Sequence, residues 1–395
     1  MVTQTAGAYR RARVAVTLAF LVHGLVGSAW VARIPQIKES LGLSEGALGV
    51  ALLGAPVGVV AGVRFAGRCV ARWGSRDVSL AGGAAGALAL VPLGLAWNLG
   101  SLIVALMLMG ASLGLMDVAM NAQGVVVERG YGRPLMSGLH GSYSVGTLLG
   151  ALVGAGAAHA DVPVALHLAL MAVALTLLLT GARGMLDRAA DAVPESQRPA
   201  AHSETIVKPG DRSARWTLAM LGVIGLCSFV GEGAMADWSA VYLREYLHAS
   251  PGAAGLGYAG CAVAMTVGRL AGDRVVARFG PVPVLRIGSL VAAIGLGSGL
   301  LADDPVAAVA GFTLFGLGVA VVAPVTFSAA GNLPGVPAAT GISRVTAVGY
   351  LGLLGGPPVI GFVAEGVGLP WALAVPAVLA GAIVALAGAT AAARD

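Results

Sequence analysis

GVRFAGRCVARWGS, running from Gly62 to Ser75, returns as GRLAGDRVVARFGP from Gly268 to Pro281, 206 residues later. The two copies share Gly62, Arg68, Val70, Ala71, Arg72 and Gly74 in one register. The same offset matches Ser137 with Ser343, Gly146 with Gly352, Leu148 with Leu354 and Gly150 with Gly356. An offset held over such distances marks an internal repeat of about half the chain.

Working outward, each copy lies between long apolar runs. The chain has 395 residues, 57% hydrophobic and 11% charged, with a mean hydropathy of +0.86. An ordinary soluble domain carries about 25% charged residues, so a soluble globular enzyme is excluded. A single anchor helix would be diluted by the remainder of the chain. The apolar runs continue for about 20 residues without alternation, which excludes a transmembrane β-barrel. Twelve spans follow, near 14–34, 45–66, 78–97, 101–127, 136–158, 163–182, 216–243, 251–272, 283–301, 305–330, 338–363 and 370–391. The expected organisation is a six-helix half over 1–182, a polar cytoplasmic linker over 183–213 and a second six-helix half over 214–395. This is an all-α membrane protein of twelve transmembrane helices in two pseudo-symmetric halves, the parallel-repeat plan of secondary transporters.

The basic residues set the orientation. With the N-terminus inside, one side of the map collects twenty Lys and Arg, from Arg10 to Arg394, against Arg33, Lys38 and Arg244 on the other. Positive loops stay in the cytoplasm, so both termini are expected there, in the cytoplasmic (inner) membrane. Arg10, Arg11 and Arg13 before the apolar run from Val14 resemble a secretory signal, but the spans that follow make this a first helix. The formal charge of +5 forms no continuous stripe, so nucleic acid is not an expected partner. Cys69, Cys227 and Cys261 have neither disulfide nor metal spacing. No Walker A lysine and no HExxH is present, and the GxGxxG at Gly255, Gly257 and Gly260 lies inside an apolar span with no preceding strand. No cofactor and no metal are expected.

The repeated loop resembles the signature of the major facilitator superfamily: Gly, three residues, Asp, a basic residue, any residue, Gly, then two basic residues. Gly67, Arg72, Gly74 and Arg76 fit it, with Arg278 in the second copy, whereas Ala71 and Ala277 stand at both Asp positions. These residues form the expected cytoplasmic gate, without its usual carboxylate. GSAWVARIP from Gly27, MDVAMNAQG from Met116, EGAMADWSAVYL from Glu232, APVTFSAAG from Ala323 and GYLGLLGGPPVIGFVAE from Gly349 are similar to the MosC-like, rhizopine-type group, related to fucose and other sugar permeases. The resemblance implies alternating-access transport of a small polar, sugar-like solute. A proton-coupled symporter, working as a monomer in the bilayer, is the expected form. The alternatives are a proton-driven exporter and, less favoured, a non-transporting membrane sensor.

Asp117 lies about 24 Å along a helix entering at Ser101, near the bilayer midplane, where ionisable groups are costly and functional by default. Asn121 shares its helix face four residues on. Glu232 is the second carboxyl at such a depth. Each is read as a substrate or coupling group, with a helix-packing hydrogen bond as the other reading. His140 and Tyr143 share a face of the fifth span, as proton relay or satisfied core. Arg344, just inside the eleventh span, suits an anionic group or snorkels to the interface. Trp30, Trp238 and Tyr242 are read as a stacking face for a sugar ring or as an interfacial aromatic belt, with substrate contact favoured for Trp238 and Trp30 placed at the outer gate. Arg33 and Asp237, at the outer ends of the first and seventh spans, are expected to pair as an outer gate. Pro357 and Pro358 should bend the eleventh helix.

Overall fold

The computed structural model describes residues 6–43, 45–186, 212–249 and 251–394, and every described regular element is helical. Each of the twelve expected spans is occupied. The first is α1 (Ala6–Ser28), followed by a turn at Val31–Arg33 and α2 (Ile34–Ser40). The second holds α3 (Glu45–Leu52) and α4 (Gly54–Trp73), the third α5 (Ser75–Leu88) and α6 (Leu90–Gly94). Then come α7 (Leu99–Tyr131), α8 (Met136–His159) and α9 (Val164–Leu178). The second repeat holds α10 (Arg212–Val241), α11 (Pro251–Phe279), α12 (Pro281–Leu301), α13 (Pro305–Val319) with α14 (Val322–Gly331), α15 (Ala338–Val367) and α16 (Leu369–Leu386). Most of the expected linker, 187–211, lies outside the described residues.

Among the described residues nine spans are long and apolar enough to cross a bilayer, or ten when α15, bent by 40° between Ala338–Gly356 and Pro358–Val367, counts as one. α8 and α11, of 24 and 29 residues, also exceed the roughly 20 residues that a bilayer needs. Large apolar side chains such as Leu170, Ile294 and Val378 are exposed, as they must be where hydrocarbon is the solvent.

Helix ends follow local chemistry. α7 starts on a reciprocal cap in which Ser101 N–H donates to Asn98 Oδ1 at 2.8 Å and Asn98 N–H donates to Ser101 Oγ at 3.1 Å. α13 is capped by Asp304, whose Oδ2 accepts from Ala307 N–H at 2.8 Å, with Pro305 as its first residue.

The chain forms two compact units. Unit 1 comprises residues 1–132, 139–193 and 337–343; unit 2 comprises 133–138, 194–336 and 344–395. In unit 1, α4 crosses α7 so closely that a Cβ on Gly110 would lie 2.0 Å from Ala55 O. The equivalent crossing in unit 2 sets Gly316 of α13 on Cys261 of α11, where a Cβ would meet Cys261 O at 2.3 Å. Small residues let backbones approach where lipid supplies no hydrophobic drive for helix association.

Candidate functional site

In unit 1 the polar core is built on α7. A four-residue step brings two helical side chains over one another. Asn121 Nδ2 accordingly donates to Asp117 Oδ1 at 3.1 Å and to Asp117 O at 2.8 Å. The amide oxygen then faces α8, where His140 Nε2 lies 3.0 Å from Asn121 Oδ1. An amide oxygen only accepts, so His140 Nε2 is the donor. The three side chains are 6%, 0% and 8% exposed, which links a carboxyl, an amide and an imidazole inside an apolar helix packing. Low dielectric strengthens such a chain and makes each member's proton state matter to the next.

α1 supplies the wall. The Phe20 ring lies 5.1 Å from His140, and the His23 ring 5.5 Å from Tyr143. His23 Nε2 donates to Leu113 O at 3.2 Å, one turn before Asp117, and its Nδ1 is buried without a partner. Sequence reasoning missed His23, although an ionisable residue in the middle of an apolar span is itself a signal.

Unit 2 holds a different arrangement. Glu232 of α10 pairs with Arg269 of α11, with Nη2 and Oε2 3.1 Å apart, and Ser228 Oγ donates to Glu232 Oε1 at 3.1 Å. Arg269 Nε donates to Ala320 O at 3.2 Å. The side chains of Arg269 and Glu232 are 8% and 20% exposed. Arg269, counted among the twenty basic residues of the cytoplasmic side, lies within α11, which continues to Phe279 and turns this side chain into the unit.

Arg33 is buried in unit 1, where its Nη2 donates to Val162 O while Nε and Nη1 have no partner. Trp30 is buried as well, its indole N–H unpartnered. In unit 2, Asp237 and Arg344 are exposed, and the half-buried Trp238 stands close enough to Gly361 that a Cβ there would meet its ring at 3.5 Å.

The repeated loop shows why its glycines are there. Gly74 (φ 89°) and Gly280 (φ 81°) join α4 to α5 and α11 to α12 in a conformation almost closed to other residues. Arg72 stacks on Trp73 at 5.7 Å, and Arg278 on Phe279 at 5.4 Å. Arg76 is half-buried with its Nε unpartnered. Gly67 faces Ser343, whose Oγ donates to Val63 O at 2.9 Å within unit 1. In unit 2, Gly138 N–H at the start of α8 donates to Asp273 Oδ2 at 2.9 Å. Asp273 stands four residues before Ala277, so the second copy carries a carboxylate one turn earlier than the signature does, on the same helix face. Sequence reasoning missed this displacement. Among the described residues no group of His, Cys, Asp and Glu can hold a metal ion.

The Major Facilitator Superfamily profile matches residues 221–392. An MFS-type transporter of Yersinia pestis is 38% identical over 358 residues, covering 89% of each chain. Membrane protein MosC of Rhizobium meliloti is 32% identical over 361 residues, 91% of this chain and 85% of that protein. Among solved structures, FucP, the E. coli fucose:proton symporter, in its outward conformation matches the fold with a TM-score of 0.75 over 96% of this chain and 99% of its own, at 17% identity. The chain belongs to the major facilitator superfamily: it is an integral membrane transporter, and not an enzyme.

Proposed function

We propose that this superfamily member is a proton-coupled symporter of a small polar, sugar-like solute, working by alternating access as a monomer in the cytoplasmic membrane with both termini inside. The observation that carries this reading is the buried Asp117–Asn121–His140 chain. A carboxyl next to an imidazole, joined through an amide, can exchange a proton and present donors and acceptors to hydroxyl groups. The family supplies the transport cycle, and the fucose:proton symporter among its structural neighbours supports both the solute class and the coupling ion. Trp30, Arg33 and Asp237 are assigned to the outer gate; Gly67, Arg72, Gly74, Arg76 and Arg278 to the cytoplasmic one. Tyr143, Trp238 and Arg344 are assigned to the solute path. Glu232, tied to Arg269, is the second carboxyl and not the first choice as proton carrier.

The experiment is direct. Purified chain is screened by thermal shift against sugars, inositols and amino-sugar derivatives, since a ligand of the folded state raises its apparent stability. The best solute is then followed into proteoliposomes. Accumulation that requires an inward proton gradient is the expected result. Binding without gradient-dependent uptake rejects the symporter, and outward movement under the same gradient selects the exporter.

A further inference from the structure

The pair in unit 2 stands where the repeat uses only hydrocarbon. At the offset of 206, Ser228, Glu232 and Arg269 correspond to Val22, Val26 and Val63, all three 0% exposed. The same helix frame is therefore built without any charge at these positions. A buried ion pair is weak support for a fold, because desolvation offsets its attraction and apolar replacements are often neutral or stabilising. The pair is thus not needed to set α10 against α11, and two opposite charges at positions that the other half fills with valine call for a role in the solute site.

The geometry gives the two partners unequal roles. α13 and α14 are interrupted at Ala320–Val321, four residues before Pro324. Proline has no N–H, so Ala320 C=O cannot receive the bond a continuing helix would give it. Arg269 Nε donates to this carbonyl at 3.2 Å instead. The guanidinium is thereby anchored on the backbone, with Nη2 directed at Glu232. Glu232 is held by Ser228 and by Arg269, and it is the more exposed member, 20% against 8%. A fixed, largely desolvated cation with a more accessible internal carboxylate is a receptor whose counter-anion can be exchanged.

We infer that Arg269 receives an anionic oxygen group of the transported solute, a carboxylate such as that of a sugar acid, in place of the Glu232 carboxylate. Guanidinium suits this exchange because its planar fork binds the incoming carboxylate as it binds the internal one. The inference rests on the reading of this chain as a transporter of sugar-like solutes and narrows it to solutes with one acidic group.

The test uses purified full-length chain in detergent, with D-galacturonate and D-galactose as probes that differ at a single carbon. Galacturonate is expected to raise the unfolding temperature more than galactose. Glu232→Gln removes the competing anion and should tighten galacturonate binding about tenfold or more, while Arg269→Gln should abolish the preference for the acid. The double change Glu232→Val with Arg269→Val reproduces the valines of the other half and should stay monodisperse, with an unfolding temperature at or above the parent's. Failure of the double-valine chain to fold overturns the inference by making the pair structural. Absence of a galacturonate preference in the Glu232→Gln chain overturns it as well. Gradient-driven uptake of galactose without any preference for the acid rejects this inference and leaves the transporter reading standing; no gradient-driven uptake of either probe by the parent counts against the transporter reading itself.

Discussion

α7 in unit 1 and α13–α14 in unit 2 occupy the same place in the repeat, yet one is a helix of 33 residues and the other breaks after 15. The residue one turn past the break accounts for it: Pro324, which cannot donate to Ala320 C=O, stands where α7 has Val118. The polar side chains diverge likewise. Asp117, Asn121 and His140 correspond to Ala323, Phe327 and Thr346, just as Ser228, Glu232 and Arg269 correspond to three valines. What both halves keep is framework: the positive-φ glycines 74 and 280, the stacked arginines 72 and 278, and the close approaches at Gly110 and Gly316. Duplication has retained the packing geometry, and each half has placed its own chemistry inside it. Unit 1 carries a hydrogen-bonded chain able to hold a proton, and unit 2 an anchored ion pair.

The largest effect should come from breaking the unit 2 pair on one side only. Arg269→Met leaves Glu232 without its partner and should cost about 3 kcal/mol or somewhat more in unfolding free energy. The equivalent change in unit 1, Val63→Met, adds volume but strands no charge, and should cost about 1–3 kcal/mol. Thermal unfolding of the two variants side by side checks the difference.

Next in size is the exchange of helix continuity. Val118→Pro in α7 removes a backbone hydrogen bond from an unbroken helix and should cost about 3 kcal/mol. Pro324→Ala, one turn past an existing break, should change stability by under about 1 kcal/mol while weakening the anchor of Arg269. Equal losses in both variants would mean that Pro324 does not cause the break.

Smaller effects probe the shared framework, where the halves should respond alike. Gly74→Ala and Gly280→Ala each force a side chain into a region open almost only to glycine, at about 1–3 kcal/mol. Arg72→Ala and Arg278→Ala each remove an exposed cation–π contact worth about 0.5–1 kcal/mol. A loss in one copy and none in its counterpart would show that the repeat is not equivalent there.

Much of this was legible in the sequence because it depends on local pattern. The spans follow from apolar runs, the repeat from its fixed offset, and the Asp117–Asn121 contact from a four-residue step on one helix. What escaped depends on contacts between helices. Arg269 stands three residues before the end of its expected span and precedes Arg274 and Arg278, so composition alone could not separate it from loop charges. Its partner Glu232 lies 37 residues away on another helix, and its backbone anchor 51 residues away. Asp273 escaped because the signature fixes attention on position 277, and only the fold shows that Gly138 N–H meets a carboxylate one turn earlier.

The central claim is that unit 1 holds the coupling proton, and Asp117→Asn tests it most directly. The amide keeps the size and much of the hydrogen bonding of the carboxyl but cannot take up or release the proton. Proteoliposomes containing this variant should exchange labelled solute across the membrane at a rate near the parent's. They should fail to accumulate it when an inward proton gradient is imposed. Full gradient-driven accumulation by Asp117→Asn would contradict the account and remove the coupling proton from Asp117.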